Sequence, residues 1–290
     1  MRSAVKIMLA SGAIAGCYLV AAAIFSASDT PLPELVSVKP GVHNYRASGE
    51  FLKDGYPVDA PVVPVRIPRP VVIMKYQVSA SEYARCVSDK ACKPPLESRD
   101  NGDAMPVTGV SFKDARDYAH WLSGKTGVTW RLPSDEEWSY AAGSRFVDDA
   151  LGAPDDPDNP FTRWLLKYRK YAGLDKGAVS TIRTRGTFGA NENDIHDMSG
   201  NVWEWTSTCY NRSRVNRKGR ILAGSTANCG VRIAEGQHRA YITFFVQDAK
   251  GGGCAVGAPP DHLGFRLVKD NPPLFSIGRV RNWLNSLRIG

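Results

Sequence analysis

The cysteines are the residues of this chain whose types and spacing point most directly to chemistry. Cys86 and Cys92 flank a short polar turn, and in an oxidising compartment we expect them to form a structural disulfide. Three further cysteines follow, and three thiols cannot all pair with one another. One thiol is therefore left over among Cys209, Cys229 and Cys254, and a leftover thiol in an exported protein is a candidate reactive group.

Two carboxylates form a second candidate site. Asp197 and Glu204 flank a Ser-Gly-Asn turn, so hard carboxylate oxygens and turn carbonyls can converge there on a calcium ion. The alternative interpretation is that the two acids only cap the backbone or pair with arginines inside the fold. Other chemistries find less support, since the sequence lacks a His-x-x-x-His pair, a nucleophile elbow, a P-loop and a dinucleotide fingerprint.

The N-terminal segment predicts export. Residues 1–28 are predicted to be a signal peptide or a membrane anchor, because the basic stretch 1–6 is followed by 21 residues without a charge, Ile7 to Ala27. Basic residues before an apolar run favour a body on the far side of the membrane, periplasmic or otherwise extracytoplasmic. If the segment is not cleaved, it attaches the protein to the membrane. Residues 29–35 are interpreted as a linker.

The net charge of +8 does not indicate a nucleic-acid partner. Residues 1–28 contribute +2 and residues 269–290 contribute +3, which leaves about +3 for the body, where acids and bases are interleaved. A nucleic-acid-binding domain would concentrate its positive charge on the folded body. A composition of 43% hydrophobic and 23% charged residues, with 27 Gly, 19 Pro and seven Trp, is typical of a loop-rich globular fold.

Three capping boxes predict where helices begin. They lie at Ser79–Glu82, Ser111–Asp114 and Ser134–Glu137, each with a serine followed three residues later by an acid. The runs 62–67 and 71–73 lie next to prolines and are predicted to be edge strands.

The rest of the chain gives weaker signals. Residues 143–189 are expected to be irregular, with an Asp/Pro-rich loop at 154–160 and a basic aromatic stretch at 164–171. The tail, 269–290, is expected to contain an amphipathic helix that docks on the body, with contact to a membrane surface as the alternative.

An ordered set of motifs resembles the formylglycine-generating enzyme family, whose domain is also called the sulfatase-modifying-factor domain. The motifs are Val107–Phe112, Trp130–Trp138, Ile195–Trp205 and Leu263–Arg266, and Lys75–Tyr83 is similar to the family's entry segment. Each motif is modest evidence alone, whereas their order along the chain is specific. The resemblance covers residues 36–268. It implies a single irregular α+β domain, C-type-lectin-like, with little regular secondary structure.

The resemblance also implies site residues. It assigns calcium ligands by side chain at Asp197 and Glu204 and by main-chain carbonyl at Gly200 and Val202. It further places a substrate groove in the region of three polar and aromatic residues, for which a solvated surface with an inward tyrosine is the alternative. These residues are His238, Arg239 and Tyr241.

The resemblance raises the question of copper. In aerobic family members, two cysteines that follow a Gly-Gly-Ser segment bind one copper(I) ion, a soft metal suited to thiolates. Here Cys229 lies near the first position, and Ala234 stands where the second cysteine is expected. Cys229 and Cys254 are the candidate catalytic pair. The alternative is a disulfide of Cys229 with Cys254 or with Cys209, and we expect Cys254 to be the partner.

Two functions follow from these observations. The first is an exported oxidoreductase-type maturation or accessory factor that acts on a peptide or protein thiol or a related substrate. The second is a non-catalytic, calcium-stabilised binding module for a protein partner. The missing second cysteine favours the binding module, and the unpaired thiol favours the enzyme.

Overall fold

The structure, a computed structural model, describes residues 31–95, 102, 104–152, 160–175, 181–243 and 263–270. The chain divides into a unit of residues 1–32 and a unit of residues 33–290, and every element below belongs to the second unit. Within the described ranges, no helix is long and apolar enough to cross a membrane. The predicted signal or anchor segment and the predicted tail helix lie outside the described residues.

Four helices are present in the described part of the chain: α1 Ala80–Ser88, α2 Phe112–Thr126, α3 Asp135–Ala142 and α4 Pro160–Asp175. The first three begin at the predicted capping boxes, in which the serine hydroxyl accepts from the N3 amide and the N3 carboxylate accepts from the serine amide. Ala115 and Leu122 of α2 and Trp138 of α3 are buried, so these helices turn an apolar face to the core.

The described strands form three sheets. A four-stranded sheet has the order β1-β6-β12-β7, with bounds Leu35–Val38, Val71–Met74, Val268–Lys269 and Trp130–Arg131. A six-stranded sheet has the order β10-β9-β8-β3-β4, with β11 also on β8, and bounds Ala240–Thr243, Thr226–Glu235, Trp203–Val215, Glu50–Lys53, Tyr56–Val58 and Leu263–Gly264. A two-stranded sheet pairs β2 with β5, Gly41–Arg46 with Val62–Ile67. The mixed α+β architecture predicted from the sequence is confirmed.

Two buried clusters hold these elements together. In the first, Tyr83 of α1 and Tyr118 of α2 stack with ring centroids 5.7 Å apart, and both pack edge-on against Phe265. In the second, Trp138 of α3 packs with Ile73 of β6. The segment 195–205, which carries the predicted calcium ligands, contributes to both clusters, so its backbone is fixed by the core.

Two local predictions were wrong. The 71–73 run is not an edge strand, because β6 pairs with β1 on one side and β12 on the other. Proline precedes β6 but does not interrupt it, so every amide it needs is available. The expected irregular stretch 143–189 contains α4, which covers the basic aromatic run. The 154–160 loop lies outside the described residues except for its last residue.

Candidate functional site

The Glu204 carboxylate is held by Arg266 in a buried ion pair. The guanidinium donates from Nε to Oε2 at 2.6 Å and from Nη2 to Oε1 at 2.7 Å. Trp138 Nε1 donates to Oε2 at 2.8 Å, and Gln77 Nε2 donates to Oε1 at 3.0 Å. Because four donors already meet the two oxygens, the carboxylate has a complete set of partners without a metal ion.

The Asp197 carboxylate caps a loop. Its Oδ1 accepts from the Phe188 amide at 2.8 Å, and its Oδ2 accepts from the Gly186 amide at 2.5 Å. The turn that follows is unusual, because Asp197, Ser199 and Asn201 all have positive φ, between 58° and 64°. Left-handed backbone at three non-glycine residues is held only by strong local contacts. The carboxylate therefore stabilises the turn that precedes β8.

This arrangement does not fit the calcium site that the resemblance implies. Calcium requires carboxylate and carbonyl oxygens that converge on one common point. The carboxylates of Asp197 and Glu204 instead accept hydrogen bonds from N–H donors on different groups. The Gly200 carbonyl accepts from the Val202 amide at 2.8 Å. Across the described residues, no group of three or more His, Cys, Asp or Glu side chains is placed to hold a metal. The geometry favours the alternative that the two acids pair and cap within the fold.

A second buried charge cluster surrounds Arg239. Its guanidinium donates from Nε to Glu235 Oε1 at 2.8 Å, and it pairs through Nη2 with Asp135 Oδ2 at 3.1 Å and through Nη1 with Asp149 Oδ1 at 3.2 Å. Arg239, Asp135 and Glu235 are fully buried, and Asp149 is nearly so. Three carboxylates thus share one buried cation, which we call the Arg239 cluster.

The Arg239 cluster favours protonation of one of its carboxylates. Glu235 Oε2 and Asp135 Oδ1 are both buried without a hydrogen-bond partner among the described atoms. Two carboxylates can share a hydrogen bond only if one of them is protonated. Burial, with Asp135 as the next cause, raises the pKa of Glu235 well above its usual value. The direction of this shift makes Glu235 the carboxyl that we expect to carry a proton and donate to Asp135.

Two tyrosines complete the Arg239 cluster. Tyr45 donates its hydroxyl to Asp135, and Tyr241 donates its hydroxyl to Asp149. Burial raises the pKa of Tyr241, and the nearby Asp149 carboxylate raises it further. Both phenols therefore stay protonated and act as hydrogen-bond donors rather than as bases.

Of the three residues predicted to bind substrate, Tyr241 lines a pocket in the described part of the chain. This pocket has a volume of about 100 Å³ and is also lined by Asp149, Tyr210 and Arg163. Arg239 is fully buried behind it. His238 is buried against the Trp203 ring, with ring centroids 5.4 Å apart, and its Nδ1 lies 2.9 Å from the Arg239 carbonyl.

The structure corrects the expected pairing of the cysteines. The Cys86–Cys92 disulfide is present as predicted, with Cα atoms 5.3 Å apart. Cys229 is joined to Cys209 and not to Cys254, which lies outside the described residues. Cys209 and Cys229 lie on the neighbouring strands β8 and β9 at a register shift, with Cα atoms 4.5 Å apart. Strand pairing brings these two cysteines together, which the distance between them in sequence could not show.

The second thiol position of the family is part of the core here. Ala234 is fully buried in β9, between Trp205 of β8 and Ala240 of β10. Cys229, by contrast, lies in an exposed part of the same strand. A copper(I) site that uses the Cys229 thiolate does not fit these residues, because its sulfur is in a disulfide and no second thiol accompanies it in the described part of the chain.

The structure adds three carboxylates that the sequence did not single out. Asp135 was visible as part of the Trp130–Trp138 motif and in the first turn of a capped helix, without a role of its own, and Glu235 and Asp149 had no motif around them. Their one local signal is the spacing of Glu235 and Arg239, four residues apart. The other partners come from distant segments, so only the fold assembles the cluster.

The fold and the order of the motifs along the chain define a protein of the formylglycine-generating-enzyme type. PvdO from Pseudomonas aeruginosa has a similar fold, with a TM-score of 0.52 at 20% identity over 82% of this chain and 95% of that chain. The chain belongs to the family of the Sulfatase-modifying factor enzyme 1-like domain, which matches residues 20–271.

The curated relatives include catalytic and inactive proteins. The chain is 37% identical over 187 residues to the Formylglycine-generating enzyme of Mycobacterium tuberculosis, covering 57% of each chain. It is 31% identical over 168 residues to the Inactive C-alpha-formylglycine-generating enzyme 2 of Bos taurus, covering 57% of this chain and 50% of that one. The chain spans about half the length of the curated relatives it matches.

Proposed function

We propose that this protein is an exported, non-catalytic accessory module that binds a protein partner. The Cys209–Cys229 disulfide is the observation that carries this proposal, since it occupies the sulfur nearest to the family's first thiol position. A thiol held in a structural disulfide neither binds copper(I) nor attacks a substrate. The buried Ala234 at the second position supports the same conclusion.

The buried charges support a structural role for the rest of the candidate site. Glu204 is saturated by Arg266, Trp138 and Gln77, and Arg239 is enclosed by three carboxylates. A charged group whose partners are complete, as those of Glu204 are, stabilises a scaffold and has little capacity left for a substrate. One relative, from Bos taurus, is named an inactive formylglycine-generating enzyme, so a similar sequence also occurs in a protein described as inactive.

A surface for a partner lies next to the disulfide. Residues 221–229 are all exposed, and they include two large apolar side chains, Ile221 at 44% and Leu222 at 41% exposure. Exposed apolar residues grouped beside a rigid, cross-linked strand pair form a surface suited to protein contact. We place the partner at residues 221–229 for this reason.

The catalytic part of the proposal is tested by an activity assay. The full chain is incubated with copper, oxygen, a reductant and a cysteine peptide that the Mycobacterium tuberculosis relative converts, and that relative serves as the positive control. We expect no aldehyde product from this chain. Product that appears with the wild type and disappears with Cys229→Ser would show that the protein is an enzyme.

The partner surface is tested by photo-crosslinking in the native host. A photoreactive residue at Leu222 is expected to give a discrete adduct with another protein. The matched control position is Lys113, whose side chain is 65% exposed on α2. If Leu222 gives no adduct, or Lys113 gives the same one, residues 221–229 are not the binding surface.

A further inference from the structure

Helix α4 carries three aromatic residues on the outside. Phe161, Trp164 and Tyr168 follow one another at positions i, i+3 and i+7 and are 62%, 56% and 57% exposed. Their rings stack along the helix, with centroid distances of 5.5 Å and 5.8 Å. A surface helix normally turns its apolar side inward. The aromatic ridge, as we call these three residues, is therefore inverted relative to the usual arrangement.

The attachment of α4 to the body does not require the aromatic ridge. Arg163 donates from Nη2 to Asp59 Oδ1 at 2.6 Å. Lys170 donates to the carbonyls of Asp148 and Ala150 at 3.0 Å and 2.6 Å. These basic residues, seven positions apart, lie on the helix side that faces the body. The polar side thus holds the helix, and the apolar side is left for a contact outside the domain.

The composition of the ridge indicates the chemistry of that contact. Tryptophan and tyrosine combine an apolar ring with a polar tip, which suits the interface between water and lipid headgroups. The charged side chains of α4 before Asp175 are all basic, namely Arg163, Lys167, Arg169 and Lys170. Helices with aromatic residues on one side and basic residues around them bind anionic membranes. If the predicted N-terminal segment 1–28 is an uncleaved anchor, it also attaches this chain to a membrane.

We propose that the aromatic ridge of α4 docks on the surface of a phospholipid bilayer that contains anionic lipids. In this arrangement the three rings enter the headgroup region. The exposed Arg169 beside them contacts lipid phosphates. The proposal does not depend on whether the protein has catalytic activity.

The test measures whether Trp164 contacts lipid in the full chain. The protein is reconstituted into phosphatidylcholine vesicles with one quarter phosphatidylglycerol, with and without acyl-chain bromination, which quenches tryptophan on contact. The emission of Trp164→Phe is subtracted from that of the wild type, so the difference reports Trp164 alone. We expect bromination to remove most of this difference. Equal melting temperatures of the two proteins confirm that the substitution leaves the fold intact.

The electrostatic part has its own variant. Arg169→Gln is expected to weaken binding to anionic vesicles about fivefold, because the attraction of one basic residue to an anionic surface changes the affinity by about that factor. The Arg169→Gln variant should leave the signal in pure phosphatidylcholine unchanged.

Three outcomes would overturn the proposal. An unquenched Trp164 difference in brominated anionic vesicles would show that the ridge does not enter lipid. Equal quenching in phosphatidylcholine alone would remove the anionic preference. A second copy of the chain would cover the ridge if the Trp164 fluorescence is not quenched by brominated lipid, two copies can be cross-linked chemically, and Trp164→Phe abolishes that cross-link.

Discussion

The substitution Glu235→Gln tests the shared proton of the Arg239 cluster. Glutamine keeps the size of the side chain, its carbonyl can accept from Arg239, and its amide can donate to the Asp135 oxygen that has no other donor. The variant therefore reproduces the protonated glutamate but cannot release a proton. It should fold to the same structure and differ from the wild type only in its response to pH.

The magnitude follows from linkage between protonation and folding. Because the folded-state pKa of Glu235 is raised above its unfolded value, the folded protein binds a proton that the unfolded chain has released. The stabilisation is complete below the unfolded pKa, near 4.5, and is lost as pH rises through the folded pKa. Within that window, one bound proton lowers the free energy of unfolding by about 1.4 kcal/mol for each pH unit.

The assay is urea unfolding of the wild type and Glu235→Gln at pH 5, 6, 7 and 8 with disulfides intact. We expect the pH dependence of the wild type to exceed that of the variant by up to about 1.4 kcal/mol per unit. At pH 8 the variant should then be the more stable protein. The matched control is Glu137→Gln.

The stability that Glu137 contributes depends on pH in the opposite direction. Glu137 is buried enough for desolvation to oppose its charge, but the hydrogen bonds from Arg131 outweigh this and lower the pKa of Glu137. Its contribution is present above the unfolded pKa and is lost as pH falls through the folded pKa. Parallel pH profiles for the wild type and Glu235→Gln, with a normal response of Glu137→Gln, would refute the shared proton.

Three further predictions follow from the same structure. Arg239→Leu leaves the three carboxylates of the Arg239 cluster without a cation and should lower the free energy of unfolding by about 3–5 kcal/mol in a denaturant titration. A fully stable variant that has lost partner binding would instead make Arg239 a ligand-binding residue. Replacing both Cys209 and Cys229 with serine should lower the free energy of unfolding by about 3 kcal/mol, because the disulfide closes a loop with a sequence separation of 20. An unchanged denaturation midpoint would argue that the disulfide is absent. Neither calcium nor chelator should change the melting temperature of metal-free protein, because the carboxylates of Asp197 and Glu204 already have hydrogen-bond partners. A melting temperature that rises with calcium would instead support the calcium site that the family resemblance implies.

Local signals in the sequence predicted the helices that begin at capping boxes. The hydrogen bonds of a capping box span only four residues, so the pattern at Ser79, Ser111 and Ser134 contains nearly all the information needed. The start of α4 carries no such box in the sequence, and the rings of Phe161, Trp164 and Tyr168 do not face the core. A search for helices with an apolar inner face therefore misses it.

The candidate site was harder to predict because its parts meet only in the fold. The sequence identified Asp197, Glu204 and Arg266 through a family motif and left open whether the acids bind a metal or pair internally. The hydrogen bonds that decide between these alternatives come partly from Gln77 and Trp138, more than 60 residues away in sequence. Likewise, the partner of Cys229 depends on the pairing of β8 with β9.

The state of Cys229 in the oxidised full chain is the most direct test of the central claim. Mass spectrometric mapping after proteolysis, with free thiols blocked beforehand, identifies every disulfide and every free cysteine in one measurement. The account predicts a Cys209–Cys229 peptide pair and a Cys86–Cys92 pair. Cys229 recovered as a blocked free thiol, or linked to Cys254, would contradict it, because the thiol of the family's first position would then be available for chemistry.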